Sequence, residues 1–491
     1  MEKQKSIKIN MIMSMILTAS GFVFPLLTYS YVARVLTPAG TGKVAFVNSI
    51  LQYFSYAATL GIPSYGLREC AKVRDDKEKC SHLVQELLII NLISTAIAYI
   101  GLIFSVFNID KLFCYKDIFL VMSICIILNT IGMEWLYQAL EEYSYITLRS
   151  LLFKSISVIL TFIFVRNSND ILWYAFLSVF TTSANYICNF IHVRKYISFK
   201  KVGKYNLITH LKPIITLFSA SIIITIYANF DVSMLGIIST DYEVGLYNAT
   251  WKIKNIALSI SMAFTSVMIP RLSYCFEHKQ DKEVQNLLVK TIRGSLLLTA
   301  PIAVYILIYP MNVLRFVCGE QYVEAASTLR VLMLCVFPLI LSNLFGNQIL
   351  IPIGREKYYT QSVFVGMWIN IIINLALIPK FGSIGAAIGT LITESWNAVW
   401  MGEKAKEYRS MIIKNVNYRI YVIALILGAS LSIAFRLYVG AFSNFLQLVI
   451  TTTVFFGTYY IVLIICREPI IVMLLNKILT SMKQYIHKYL E

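Results

Sequence analysis

The stretch YANFDVSMLGIISTDYEVGLYNATWKIK, residues 227–254, sets an aspartate inside one apolar segment and two lysines inside the next. At the centre of a membrane-spanning helix each such charge costs about 2.5–3.5 kcal/mol on insertion scales. Whether these segments are spans therefore decides the fold, and with it the meaning of Asp231, Lys252 and Lys254.

The rest of the chain settles the class. Of its 491 residues 58% are hydrophobic and only 14% are charged, and the mean hydropathy is +0.69. A soluble chain of this length divides into domains with polar surfaces. Here apolar runs of about 20 residues recur from end to end, which is the length of helix that crosses a bilayer core. The class is an all-α integral membrane protein with about fourteen transmembrane helices, the first near residues 10–33 and the last near 444–466. A β-barrel would instead alternate in runs of roughly ten residues. The first apolar run is long enough to span and lacks a small-residue cleavage site, so it reads as a retained helix.

The net charge of +17 follows the topology. With a cytoplasmic N-terminus and C-terminus, the inner segments carry roughly 31 Lys/Arg and the outer ones roughly 7. Arg68, Lys72, Arg74, Lys77 and Lys79 share one inner loop, and Arg194, Lys195, Lys200, Lys201, Lys204 and Lys212 another. Anionic lipid headgroups are a sufficient partner for this charge, and nucleic acid is not needed. Nine cysteines and five histidines form no CxxC and no metal set. Cys114 and Cys318 fall in outer loops, but at equivalent positions of the two halves, which argues against a bond between them.

A faint internal echo divides the chain. RVLTPAGTGKVAF (34–46) leading to GIPSYGLRE is answered by GIISTDYEVGLYNAT (236–250) leading to VMIPRLS, so that Gly42 matches Gly245 and Pro63 matches Pro270. YQALEEYSYIT (137–147) is answered by NQILIPIGREKYYT (347–360). The offsets of about 200–213 residues correspond to six helices, an even number, which gives two repeats of the same orientation. The expected organisation is two pseudo-symmetric six-helix lobes, 1–200 and 201–410, two additional helices in 411–466, and an amphipathic cytoplasmic tail over 467–491.

Helical spacing gathers the polar residues into stripes. Asn48, Gln52, Ser55 and Thr59 form one. Asn248, Lys252, Asn255 and Ser259 form its counterpart, and Thr147, Ser150, Lys154, Ser157 and Thr161 a third. Ser and Thr in such stripes commonly serve helix packing. Lys154 and Lys252 lie too deep to snorkel and are expected to face a cavity or a partner. Lys43 and Arg330 enter their helices from outside, Arg330 shallowly enough to reach an interface, and Arg149 sits at a cytoplasmic end where packing and function are both open. Lys254 points elsewhere on its helix. Asp231 and Glu394 are the carboxylates placed either to pair with a lysine or to titrate for ion coupling, and Glu134, near an inner end, reads as structural. Unneutralised ammonium groups in a low-dielectric wall attract anions strongly, and lysine binds phosphate as a point charge. An amphiphile with a diphosphate head and an apolar tail suits such a chamber.

At this point the residues resemble a known family. DVSMLG…VGLYNATWKI, GMEWLYQALEEYSYITLRSLLFK (132–154), QILIPIGREKYYTQ…GTLI (348–392), LTPAGTGKVAF and GIPSYGLRECAKVRDDKEK are similar to bacterial polysaccharide flippases of the multidrug/oligosaccharidyl-lipid/polysaccharide exporter superfamily, over about residues 1–410. The resemblance implies a multi-pass carrier in the bacterial cytoplasmic membrane. Its implied cargo is undecaprenyl-diphosphate-linked oligosaccharide, moved by alternating access for O-antigen or capsule synthesis. Lys43, Lys154, Lys252, Arg149 and Arg330 become the candidates for the diphosphate, and Asn48, Gln52, Asn248 and Asn255 for the polar lining. Membrane lipids and other polysaccharide assembly proteins are the further partners. No cofactor is expected; a coupling Na+ or H+, served by Asp231 or Glu394, is what the resemblance suggests. Two other functions compete. A cation-coupled multidrug exporter of the same superfamily would favour an acidic, aromatic cavity, whereas lysine predominates here. A membrane enzyme of polysaccharide assembly would need a substantial outer loop with acids or His, and the longest outer connection, around Pro310–Ala325, has neither a DxD nor a His.

Overall fold

The computed structural model describes residues 7–439 and 442–473, with 476 and 480 besides. The described residues form helices and no strands. Among the described residues ten helices are long and apolar enough to cross a membrane, or eleven if the pair Ile208–Ser219 and Ile222–Ile238, bent by 41°, is one span. Two of the ten are themselves double. A straight helix of 49 residues would be about 74 Å long, more than twice a bilayer core. The run Glu356–Lys404 is broken at Gly382 (φ 51°, ψ −126°), and Ile7–Thr59 at Thr37 (φ 64°, ψ 170°). Thr37 precedes Pro38, whose ring disfavours helical backbone in the residue before it, so the break is written into the sequence.

The chain forms two compact units: Met1–Asn248 with Ile378–Ser383, and Ala249–Leu377 with Ile384–Glu491. The first contains α1 (Ile7–Thr59), α2 (Ile62–Val73), α3 (Lys77–Asn108), α4 (Asp110–Phe113), α5 (Lys116–Gly132), α6 (Glu134–Ala139), α7 (Tyr143–Phe164), α8 (Ile171–Val179), α9 (Asn185–His192) and α10 (Ile208–Ile238). The division falls inside α11 (Asp241–Glu277). A core of Ile62, Tyr65, Cys70, Cys80, Val84, Leu87, Trp135, Leu136 and Tyr137 joins α2, α3 and α6. Gly66 lets Trp135 approach: a β-carbon there would lie 2.6 Å from the indole.

The second unit continues with α12 (Asp281–Ile308), α13 (Pro310–Val317), α14 (Ala326–Phe345), most of α15 (Glu356–Lys404), α16 (Lys406–Asn415), α17 (Tyr418–Val439) and α18 (Asn444–Ile465). Buried tyrosines fasten α12 to the last two helices. The Tyr309 hydroxyl donates to Ser432 Oγ at 3.1 Å, and Tyr459 donates to the Leu296 carbonyl at 2.8 Å. Such hydroxyl contacts supply cohesion where lipid offers no hydrophobic drive between helices. Glu468, fully buried, accepts from Tyr421 at 2.8 Å and from the Ile471 amide at 2.9 Å. The expected amphipathic tail lies almost wholly outside the described residues beyond this point. None of the nine cysteines is in a disulfide; Cys114 is exposed and Cys318 buried.

Candidate functional site

A buried charged cluster is built in the first unit from α1, α6, α7 and α9. Its geometry starts with the break after α5. Met133 adopts the left-handed conformation (φ 41°, ψ 42°), which ends α5 at Gly132 and starts α6 at Glu134. Gly132 packs on Tyr186, and any side chain there would collide with the ring at 2.5 Å. A π-helical segment, Phe180–Ala184, precedes α9 and sets the register that brings Tyr186 inward. Segments of this kind recur at functional sites.

Into this frame α7 projects Arg149, which is 7% exposed. Its Nη2 lies 3.6 Å from Glu134 Oε2, and its guanidinium sits 5.4 Å from the Tyr145 ring and 5.9 Å from the Tyr186 ring. Nε, Nη1 and Nη2 are all buried without a hydrogen-bond partner. A guanidinium presents five N–H groups in a fixed fork suited to carboxylate or phosphate, and buried donors are rarely left unpaired. Lys154, further along α7 and half-buried, donates from Nζ to Ser20 Oγ of α1 at 2.8 Å. Glu134 is the carboxylate within electrostatic reach of it. Two cations thus share one carboxylate, and the cluster holds excess positive charge.

The other expected site residues of this unit are distributed around it. Lys43 is half-buried and makes no ion pair with another described residue. Asn48 is exposed and Gln52 half-buried, while the next member of their stripe, Ser55, is buried and accepts from Asn129 Nδ2 at 3.2 Å. Asp231 accepts from the Tyr247 hydroxyl at 2.7 Å, close to a chain in which Tyr53 meets Ser233 Oγ at 2.9 Å and Ser233 donates to Ser49 Oγ at 3.0 Å. Asn248 is half-buried. On α7, Thr147 donates to the Met13 carbonyl at 3.0 Å and Ser157 to the Leu177 carbonyl at 3.3 Å, so these hydroxyls pack helices.

In the second unit Lys252 and Asn255 are half-buried and Arg330 is exposed. Lys254 is buried, with its ammonium 5.9 Å from the Trp251 ring. Glu394 is buried and accepts from Ser342 Oγ at 3.2 Å. Three participants escaped the sequence reading: Ser20, Tyr145 and Tyr186. The first two have no distinguishing spacing, and Tyr186 is placed by the π-helical segment. Glu134, read as structural, is the counter-charge of the cluster.

Helices this long and apolar define a multi-pass membrane protein. The family described as "Polysaccharide biosynthesis protein" matches residues 7–276, more than half of the chain, and the MatE family matches residues 217–376. The chain belongs to the polysaccharide biosynthesis protein family. It is 25% identical over 394 residues to a putative O-antigen transporter of Escherichia coli (strain K12), covering 79% of this chain and 94% of that one. It is 23% identical over 245 residues to the probable low-salt glycan biosynthesis flippase Agl15 of Haloferax volcanii, about half of each chain. Among solved structures the fold is similar to the lipid II flippase MurJ in its inward closed conformation, with TM-score 0.68 and 15% identity over 94% of this chain and 100% of that one. It is also similar to an inward-facing multidrug resistance MATE transporter, with TM-score 0.63 and 15% identity over 82% and 99%. The relatives are transporters and flippases, and this chain is a membrane transporter of the flippase kind and not an enzyme.

Proposed function

We propose that the protein carries undecaprenyl-diphosphate-linked oligosaccharide repeat units across the bacterial cytoplasmic membrane by alternating access, for assembly of a surface polysaccharide such as O-antigen or capsule. The observation that carries this reading is the Arg149 guanidinium, buried with three nitrogens that lack a hydrogen-bond partner and sharing the Glu134 carboxylate with Lys154. A diphosphate supplies the oxygens such a fork lacks, and its charge offsets the excess cation. The names of the relatives support the substrate class. Lys43, Lys252 and Arg330 remain further candidates for the diphosphate, Asn48, Gln52, Asn248 and Asn255 for the sugar, and Asp231 or Glu394 for a coupling Na+ or H+.

The test is a clean deletion in the native host, with lipid-linked repeat units counted on each leaflet. Accumulation on the cytoplasmic leaflet, reversed by the wild-type gene and not by Arg149→Ala at equal abundance, is the expected result. Undiminished delivery to the outer leaflet would refute the reading. The MatE match over 217–376 favours one alternative, export of cationic drugs by an ion-coupled route. Efflux of a cationic dye that depends on Asp231 or Glu394, with normal polysaccharide in the deletion strain, would establish it instead.

A further inference from the structure

Small hydroxyl residues stand four positions apart on two helices of the second unit: Ser261 and Thr265 on α11, Thr291 and Ser295 on α12. That spacing sets each pair on one face of its helix. The two faces meet, since Ser261 Oγ and Ser295 Oγ lie 2.7 Å apart. A third wall comes from the end of α14. There the helix widens into a π-helical segment, Gly346–Leu350, in which the Ile351 amide donates to the Gly346 carbonyl at 3.1 Å. Gly346 is tightly packed: a β-carbon there would lie 2.7 Å from the Tyr359 ring and 2.9 Å from the Met401 sulfur. Gln348 belongs to this wide turn and is 1% exposed. Such segments recur at functional sites, which makes the occupant of the space beside it worth deriving.

That space is a cavity of about 10 Å³, whose polar lining is Ser261, Thr265, Thr291, Ser295, Asn343 and Gln348. The volume is close to the smallest that holds one water molecule. Gln348 Oε1 is buried and has no hydrogen-bond partner, a condition that few buried acceptors tolerate. The hydroxyls add further acceptors. Thr265 donates its proton to the Ser261 carbonyl at 2.7 Å, and Thr291 donates to the Leu287 carbonyl at 2.9 Å. Each oxygen keeps its lone pairs, because a hydroxyl has one proton and two acceptor positions. Of Ser261 and Ser295, one donates to the other and the second retains a proton to give. Among the described residues no acidic or basic side chain lines the cavity.

We propose that this cavity is a hydration site, in which one water donates to Gln348 Oε1 and to a hydroxyl oxygen of α11 or α12 and accepts the spare serine proton. The chemistry selects water over other occupants of that size. An amide oxygen needs a donor, and a water supplies two. A sodium ion would meet the same oxygens, but it would carry a full charge into a wall without a counter-charge, which costs far more than a neutral molecule. An apolar occupant would leave Oε1 without a bond, and a buried acceptor left unmade is itself costly. The water joins α11, α12 and the end of α14 at the point where α14 departs from α-helical register. It is a fixed part of the second unit and stands independently of the cargo proposed above.

The experiment is an experimental structure of the full-length protein in nanodiscs, at a resolution that shows ordered water, obtained once in sodium buffer and once in choline buffer. One peak is expected within about 2.5–3.0 Å of Gln348 Oε1 and of at least one of the four hydroxyls, at equal height in both buffers. No peak beside a well-ordered Gln348 side chain overturns the proposal. A peak present only in sodium overturns it as well, because the occupant is then the ion. In Gln348→Leu, which keeps an apolar stem and removes the amide, the peak should be lost. A peak that persists there at full height shows that Gln348 does not hold the water, and the proposal falls. The two wild-type structures decide the matter even where that variant fails to fold.

Discussion

Gly42 and Gly245 stand backbone to backbone. A β-carbon on Gly42 would lie 1.8 Å from the Asp241 carbonyl oxygen and 2.9 Å from the Gly245 nitrogen, and one on Gly245 would lie 1.9 Å from the Pro38 carbonyl oxygen. These are the two glycines that the internal echo of the sequence pairs. Here the second part of α1 and the start of α11 approach as closely as helices can, which only residues without side chains permit.

Gly42→Ala is therefore expected to destabilise the protein by about 1–3 kcal/mol, the range for overpacking a close contact. Thermal unfolding of the detergent-solubilised protein measures it. An unchanged melting temperature would mean that the helices separate at no cost.

Arg149→Lys retains one positive charge and loses the fork. Transport should fall about tenfold or more while the protein still inserts and accumulates, since lysine reproduces the charge and not the bidentate geometry. Glu134→Gln removes the only ion-pair partner of Arg149 among the described residues. It should lower stability more than Arg149→Lys does, because it leaves a buried charge without compensation. Flipping in proteoliposomes, with melting measured in parallel, separates the two effects.

Ser20→Ala takes away the hydroxyl that Lys154 reaches at 2.8 Å, together with that hydroxyl's own bond to the Leu17 carbonyl at 2.6 Å. A loss of about 0.5–1.5 kcal/mol in stability is expected, with transport largely kept, because the ammonium itself remains. Lys154→Gln should abolish transport at near-normal abundance. Equal activity of the two variants would remove Lys154 from the site.

Asp76 caps α3. Its carboxylate accepts from the Glu78 and Lys79 amides, both at 3.1 Å, and pairs with the Lys79 ammonium at 3.0 Å. The Lys79 amide, followed by the Lys79 ammonium, holds this carboxyl below the usual aspartate range. A depressed folded-state value means that the cap contributes above the unfolded aspartate value and that its contribution is lost as pH falls through the folded one. Exchange of the Glu78 and Lys79 amides should quicken on acidification in the wild type. In Asp76→Asn, which caps without titrating, it should not change with pH beyond the intrinsic effect.

The helical membrane class was legible from composition because hydrocarbon leaves a chain of this hydropathy few other folds. The break at Thr37 is legible from Thr37-Pro38. Lys154 was visible as a charge too deep for an interface. What it touches was not, since Ser20 lies 134 positions away and no periodicity links the two. Arg149 sat between two readings because its burial depends on the left-handed turn at Met133 and the π-helical register ahead of Tyr186, and neither leaves a mark in a single sequence.

The amide of Ser383 donates to Glu243 Oε2 at 2.7 Å, and Gly382 lies so near that a β-carbon would be 2.5 Å from the Glu243 carboxyl carbon. This short turn belongs to the first compact unit, although the chain reaches it only after traversing much of the second. A gene bisected near codon 248 would accordingly encode a leading polypeptide that lacks residues 378–383 of its own unit. Reconstitution of such a split protein would require the trailing polypeptide to donate that turn to Glu243 in trans, which favours simultaneous synthesis of both pieces over mixing them after purification.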